Sequence, residues 1–273
     1  MATIDVPGCR LHYDSFGAGA PMVLVHGTGT DSSTWEPVIE LLAARHQVVV
    51  YDRRGYGQSQ HPPVRDFRIH RDDLGAILTQ VCEEPAHVVG WSAGGCVAMA
   101  LAAGTSAQTA RMRSLCVVEP PFHSTRLMDC SVLGTTARLK LKQLRGDRVG
   151  AGEVFFRSVY ARRSGGNAYA DLDDRARERM RANIEPVLAE FDPSRFGVSV
   201  DFVSARAVAA SSVPMTWVRG DQSPLWLERT YQRFVRLRPD LRSVVLTGVG
   251  HLPHVEDPSG FVAAVSPDPS SAR

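Results

Sequence analysis

The sequence predicts an α/β protein built on a mostly parallel, doubly wound sheet with an inserted helical region. Three observations carry this. Short, uninterrupted apolar runs alternate with helix-like stretches along most of the chain. Most of these runs end in polar or glycine-containing motifs, where an open parallel sheet presents its carboxyl edge. One long stretch, about residues 122–212, shows helical patterns and no clear strand.

The elements follow in order. Thr3–Val6 and Arg10–Asp14 flank Pro7-Gly8 and predict a hairpin. Met22–Val25 is a continuous apolar run that stops at His26-Gly27, and Val48–Tyr51 is another that stops at Asp52. His87–Gly90 stops near Trp91, and Leu115–Val118 ends at Glu119-Pro120-Pro121. Met215–Val218 ends at Arg219-Gly220-Asp221, and Ser243–Leu246 ends at Thr247-Gly248. Runs this short and apolar suit strands covered on both faces. Between them, Trp35–Ala44 and Ala93–Ala103 read as helices. Leu74, Ile77, Leu78, Val81 and Cys82 fall at i, i+3, i+4, i+7 and i+8, one apolar helix face. Alternating strand and helix implies right-handed crossovers. The stretch 122–212, with a long helical pattern at Asp171–Phe191, is an insertion between two strands. The expected organisation is a core of residues 1–121 and 213–265, a helical cap of residues 122–212 and a flexible tail of residues 266–273.

Composition narrows the function classes. The 273 residues carry 31 Lys plus Arg against 29 Asp plus Glu, so no basic nucleic-acid binder is expected. No apolar run approaches the roughly 20 residues that span a bilayer. The N-terminus shows no basic flank followed by an apolar core, and no secretory signal is read there. Cys9, Cys82, Cys96, Cys116 and Cys130 are scattered, without a CxxC pair. Reduced thiols and a cytoplasmic location are the expectation. No dinucleotide or Walker motif and no metal-ligand spacing is present, so no cofactor and no metal are expected.

Three motifs point to chemistry. Gly90-Trp91-Ser92-Ala93-Gly94-Gly95 matches G-x-S-x-G between a predicted strand and a predicted helix. A turn this sharp pushes the Ser92 hydroxyl out over a helix N-terminus, as a nucleophile requires. His26-Gly27-Thr28-Gly29 follows a core strand, where the backbone N–H of Thr28 can meet a developing oxyanion beside that of Ala93. His26 is read as bracing that loop. His251, in Gly248-Val249-Gly250-His251, is the expected general base late in the chain. His254 is its decoy, expected to pack or to face solvent.

These motifs resemble the α/β-hydrolase family, which includes serine esterases, lactonases, haloalkane dehalogenases and cofactor-free haloperoxidases. The likeness rests on them, on Asp52-Arg53-Arg54-Gly55-Tyr56-Gly57-Gln58-Ser59 and on Gly250-His251, in family order over about residues 3–265. The resemblance implies an α/β-hydrolase fold with an inserted helical cap. Serine rather than aspartate at the elbow favours acyl chemistry over dehalogenation. The Asp52–Ser59 stretch implies a supporting loop and is assigned no chemistry.

The acid has two candidates. Many relatives carry it in a G-x-x-D pattern after the strand that follows the insertion. Here that pattern is broken: Asp221 comes one residue after Gly220, and Ser223 stands at the usual place. Glu119, at the strand end before the insertion, is favoured, with Asp221 as the alternative. Some relatives, zearalenone-type lactonases among them, take a glutamate from that strand end. The resemblance thus implies a serine hydrolase acting on a small-molecule ester or lactone, with no nucleic acid or membrane partner. A cofactor-free haloperoxidase or perhydrolase, or a non-catalytic small-molecule binder, are the alternatives. Aromatic and methionine residues of the insertion, including Phe155, Phe156, Tyr160, Tyr169 and Met180, are expected to pack the cap, with a minority lining a pocket.

Overall fold

A computed structural model describes residues 2–122, 130–190 and 202–266. Its eight strands are β1 (Ala2–Val6), β2 (Cys9–Phe16), β3 (Pro21–Val25), β4 (Gln47–Tyr51), β5 (Ala86–Trp91), β6 (Met112–Val118), β7 (Met215–Gly220) and β8 (Arg242–Leu246). They form one sheet in the order β1-β2-β4-β3-β5-β6-β7-β8. The β1–β2 and β2–β4 pairs are antiparallel and the remaining pairs parallel. All eight predicted strands are found, each slightly longer than its apolar run.

The inner runs are continuous because both faces are covered, whereas β8, at the sheet edge, is exposed over most of its length. In β3, Val23 and Val25 enter one apolar cluster, and Met22 and Leu24 enter the other. Helices α1 (Glu36–Ala43), α2 (Phe67–Gln80) and α3 (Ala93–Ala102) connect the first parallel strands. α2 and α3 share the first cluster, and α1 lies in the second. Asp66 caps α2 by accepting the Arg68 N–H. Every residue of α3 is buried, which its Ala- and Gly-rich sequence permits.

Between β6 and β7 run α4 (Cys130–Leu144), α5 (Arg148–Val159), α6 (Ala168–Asp171), α7 (Asp174–Ala182), α8 (Ile184–Glu190) and α9 (Ala205–Ala209). The single helical stretch expected at Asp171–Phe191 is therefore broken into pieces. Asp173 stops the run by capping α7, accepting the Ala176 N–H, and Asn183 separates α7 from α8. Phe191, with Phe196 and Met128, lies outside the described residues, as does the tail 267–273. Phe155, Phe156, Tyr160, Tyr169 and Met180 are buried, as expected of packing residues. Phe122 differs from that group: it packs on the sheet core against Phe234. The chain ends with α10 (Leu225–Val235), α11 (Pro253–Glu256) and α12 (Pro258–Val265). No helix of the described residues is long and apolar enough to cross a membrane.

β3 pairs with β4 on one side and β5 on the other, so the strand order reverses between β3 and β5. A crevice at the carboxyl ends of the strands is the usual ligand position in such sheets. The loop after β3 and the turn after β5 meet there.

Candidate active site

Ser92 is the residue between β5 and α3, with φ 52° and ψ −124°. Serine seldom adopts positive φ, and such a conformation costs about 1–3 kcal/mol. The turn is held by its neighbours: the Ser92 N–H donates to Val118 O at 2.8 Å. Gly94 allows the helix to start against β3, since a Cβ there would stand 2.2 Å from Val25 O.

The structure brings Ser92, His251 and Glu119 together. The Ser92 hydroxyl lies 3.1 Å from His251 Nε2, and His251 Nδ1 lies 2.7 Å from Glu119 Oε2. The Glu119 carboxylate can only accept as an anion, so Nδ1–H donates to it and Nε2 is left to accept from serine. Glu119 Oε1 also accepts the Gly220 N–H at 2.9 Å. Glu119 follows β6 directly and is 2% exposed. Among the described residues, it and Ser92 are the only non-glycine residues at positive φ.

Asp221 is elsewhere. Its Oδ1 accepts the Gly248 N–H at 2.8 Å and the Gln222 side-chain amide at 3.0 Å, which ties the loop after β7 to the loop after β8. Ser223 is buried, and its hydroxyl has no hydrogen-bond partner among the described residues.

The His251 backbone is held as tightly as its ring. Trp91 Nε1–H donates to His251 O at 2.8 Å. Glu256 accepts the N–H groups on either side of His251, from Gly250 at 3.2 Å and Leu252 at 3.1 Å. Arg162, from the insertion, donates through Nε to Glu256 at 2.8 Å and also pairs with Asp171. Tyr160 sets its ring 5.7 Å from that of His251 and 6.3 Å from Trp91. Sequence reasoning missed Arg162 and Glu256 entirely.

The loop after β3 carries Thr28, 7% exposed, and Ala93 is the first residue of α3, where backbone N–H groups lack helical partners. Gly27 of that loop lies against Ser92. A Cβ on Gly29 would meet the Phe156 ring at 2.5 Å, so the insertion rests directly on this loop. His26 braces it: Nε2 accepts the Arg53 N–H at 2.9 Å, leaving Nδ1–H to donate to Gly27 O at 2.8 Å.

Beneath the loop is a buried charge pair that no sequence signal disclosed. Arg53 Nη1 donates to Glu190 Oε1 at 2.9 Å, with side chains 0% and 1% exposed. Removing one partner from such a pair leaves a buried charge and costs about 3–5 kcal/mol. The Arg53 guanidinium also stacks 4.6 Å above the Tyr56 ring. No described group of three or more His, Cys, Asp or Glu side chains could hold a metal ion.

Three buried histidines stay neutral. Burial, then the Arg53 charge, pushes His26 and His70 well below the usual histidine range. His254 packs between Trp35, Trp91 and Phe261, with Nε2 2.9 Å from the Thr34 hydroxyl. Burial, then the neighbouring His251, pushes it down to about 3. The unfolded chain takes up that proton near pH 6.5, so stability present at neutral pH is lost as pH falls from 6.5 toward 3. His254 alone is expected to cost about 2 kcal/mol between pH 7 and pH 5. Urea unfolding at the two pH values measures this. His254→Phe should lessen the dependence by about that amount, His26 and His70 supplying the remainder, and an unchanged slope in that variant would refute the assignment.

Comparison with known proteins agrees with this architecture. A pimeloyl-(acyl-carrier protein) methyl ester esterase of Legionella pneumophila (strain Corby) is 37% identical over 93 residues, 34% of this chain and 36% of that protein. An uncharacterised hydrolase of Bacillus subtilis (strain 168) is 36% identical over 102 residues, 36% of this chain and 38% of that protein. The first curated relatives are matched over only 33–40% of their own length. Among solved structures, a bromoperoxidase from Bacillus anthracis superposes with a TM-score of 0.78 at 18% identity, covering 97% of each chain. A protein described as an N-acyl homoserine lactone degrading enzyme superposes with a TM-score of 0.76 at 20% identity, covering 96% of this chain and 98% of that one. These likenesses are of fold. The model of the alpha/beta hydrolase family matches residues 22–265, and with the eight-stranded sheet and its elbow at Ser92 this chain belongs to that family.

Proposed function

We propose that the protein is a serine hydrolase that cleaves a carboxylic ester or lactone through an acyl-enzyme. The observation that carries this is the continuous relay from the Ser92 hydroxyl through His251 to Glu119, at 3.1 and 2.7 Å. Ser92 Oγ attacks the carbonyl carbon as His251 Nε2 takes its proton. Glu119 fixes the tautomer that leaves Nε2 free to accept, and stabilises the imidazolium that forms. The Thr28 and Ala93 N–H groups hold the tetrahedral oxyanion; losing one such donor typically costs about 100- to 1,000-fold. The C–O bond then breaks, His251 returns the proton to the leaving alkoxide, and the acyl group stays on Ser92. Water, deprotonated by the same histidine, releases the acid. In a lactone the alkoxide remains part of the released hydroxy acid. Helices α4–α9 act as a cap, and Tyr160 and Phe156 give the site an apolar, aromatic wall against Trp91 and Gly29.

Incubation with a fluorophosphonate is expected to modify Ser92 with unit stoichiometry, read as a mass shift on its peptide. A panel of p-nitrophenyl esters and ring lactones of graded size should show hydrolysis by the unmodified protein, lost on labelling. Absence of both labelling and hydrolysis would overturn the reading. Bromination of monochlorodimedone in the presence of acetate, peroxide and bromide, at rates above ester hydrolysis, would favour peroxide over water as the acyl acceptor, the peracid formed then oxidising bromide.

A further inference from the structure

A peptide unit is a rigid plane, so whatever holds its carbonyl also aims its N–H. The unit between Gly27 and Thr28 contains the Thr28 N–H, the donor assigned above to the oxyanion. Its carbonyl, Gly27 O, accepts from Arg53 Nη2 at 3.2 Å, from His26 Nδ1 at 2.8 Å and from the Thr30 hydroxyl at 3.3 Å. The side chain of the same residue is held as well: the Thr28 hydroxyl donates to Glu190 Oε2 at 2.5 Å. The second oxygen of that carboxylate accepts Arg53 Nη1 at 2.9 Å. One carboxylate therefore holds the Thr28 side chain and also the guanidinium that holds the Gly27 carbonyl. It comes from α8 of the insertion, 162 residues from Thr28 in sequence. Thr28, Arg53 and Glu190 are 7%, 0% and 3% exposed, so water competes little for these bonds.

We propose that Glu190 is a positioning residue for the oxyanion donor, acting through the Thr28 hydroxyl and Arg53. This rests on the reading of Thr28 N–H as that donor. The insertion thereby completes the catalytic apparatus as well as covering it. An ion pair that only pins the insertion to the sheet would affect folding and leave the transition state alone. The two roles separate at Thr28, because Thr28→Val removes the hydroxyl and keeps both the backbone N–H and the Arg53–Glu190 pair.

The test measures kcat and KM on p-nitrophenyl butyrate for Thr28→Val, Thr28→Ser, Glu190→Gln and the double variant Thr28→Val/Glu190→Gln. Beside these goes inhibition by a 1,1,1-trifluoroalkan-2-one, which adds to Ser92 and places an oxyanion at the same point. Thr28→Val is expected to lose about 10- to 100-fold in kcat, as a small misplacement of a catalytic group costs. KM should change less than about threefold, and the trifluoroketone should weaken in proportion to kcat. Thr28→Ser, which restores the hydroxyl, should recover most of the rate. Glu190→Gln should lose at least as much, and adding Thr28→Val to it should cost little more, because the two act through one contact. Wild-type kcat and trifluoroketone affinity in Thr28→Val would overturn the positioning role. In that case an inactive Ser92→Ala would leave the site reading standing, whereas a fully active Ser92→Ala would remove both.

Discussion

Turnover of p-nitrophenyl butyrate by Ser92→Ala is expected to fall by about a million-fold, and by His251→Ala to a similar degree. In the proposed mechanism the two groups act in one step, across the 3.1 Å contact between Oγ and Nε2. Once either is gone the other has nothing to do, so the double variant should be no worse than the singles. Folding should be little affected in Ser92→Ala. Alanine also carries a Cβ at φ 52°, and the N–H bond to Val118 O that holds the elbow belongs to the backbone. His254→Ala should behave oppositely. Its ring fills a buried site between Trp35, Trp91 and Phe261, so its loss should lower the unfolding midpoint and leave kcat within a few fold. Wild-type turnover in Ser92→Ala, or an unaffected His251→Ala beside an inactive His254→Ala, would sink the mechanism.

The second large effect is expected at Glu119. Glu119→Gln keeps the shape of the side chain and removes its charge. The amide can present N–H₂ toward His251 Nδ1, which favours the tautomer with the proton on Nε2, where serine needs an acceptor. A loss of about 10,000-fold in kcat is expected, with KM little changed. Asp221→Asn should stay near wild type. Its Oδ1 accepts from the Gly248 N–H and the Gln222 amide, and the oxygen of asparagine can do the same. The paired measurement is decisive: a collapse in Asp221→Asn with a normal Glu119→Gln would place the acid after β7.

The inner sheet was legible because its parallel strands had to be apolar on both faces, and runs such as Met22–Val25 carry that demand openly; the parallel edge strand β8 is mostly exposed and was read from its short apolar run alone. The elbow was legible because a sharp strand-to-helix turn needs glycine on both sides of Ser92. Glu119 was legible as a carboxylate at a strand end, a position costly without partners; its partners, His251 and the Gly220 N–H, were not. The contacts that escaped share a physical cause. Glu190 lies 137 residues from Arg53, and Glu256 lies 94 from Arg162. Neither pair has a local pattern, since an ion pair between residues this far apart in sequence is specified by the fold that brings them together. The breaks within 168–190 escaped for a milder reason. Asp173 suits both a solvated helix face and an N-cap, and only the chain path of the insertion decides between them.

The bridge from Arg162 to Glu256 bears on how such enzymes diversify. A helical insertion between β6 and β7 looks like a unit that recombination could exchange for another of different shape, altering substrate choice while sparing the chemistry. Here the carboxylate that clasps the N–H groups around His251 is itself held by a guanidinium from the insertion. A donor segment lacking a cation at that place would deliver a new binding surface together with a loosened loop around His251. In this chain, then, an exchanged segment would keep the loop around His251 in place only if it brought its own cation to Glu256.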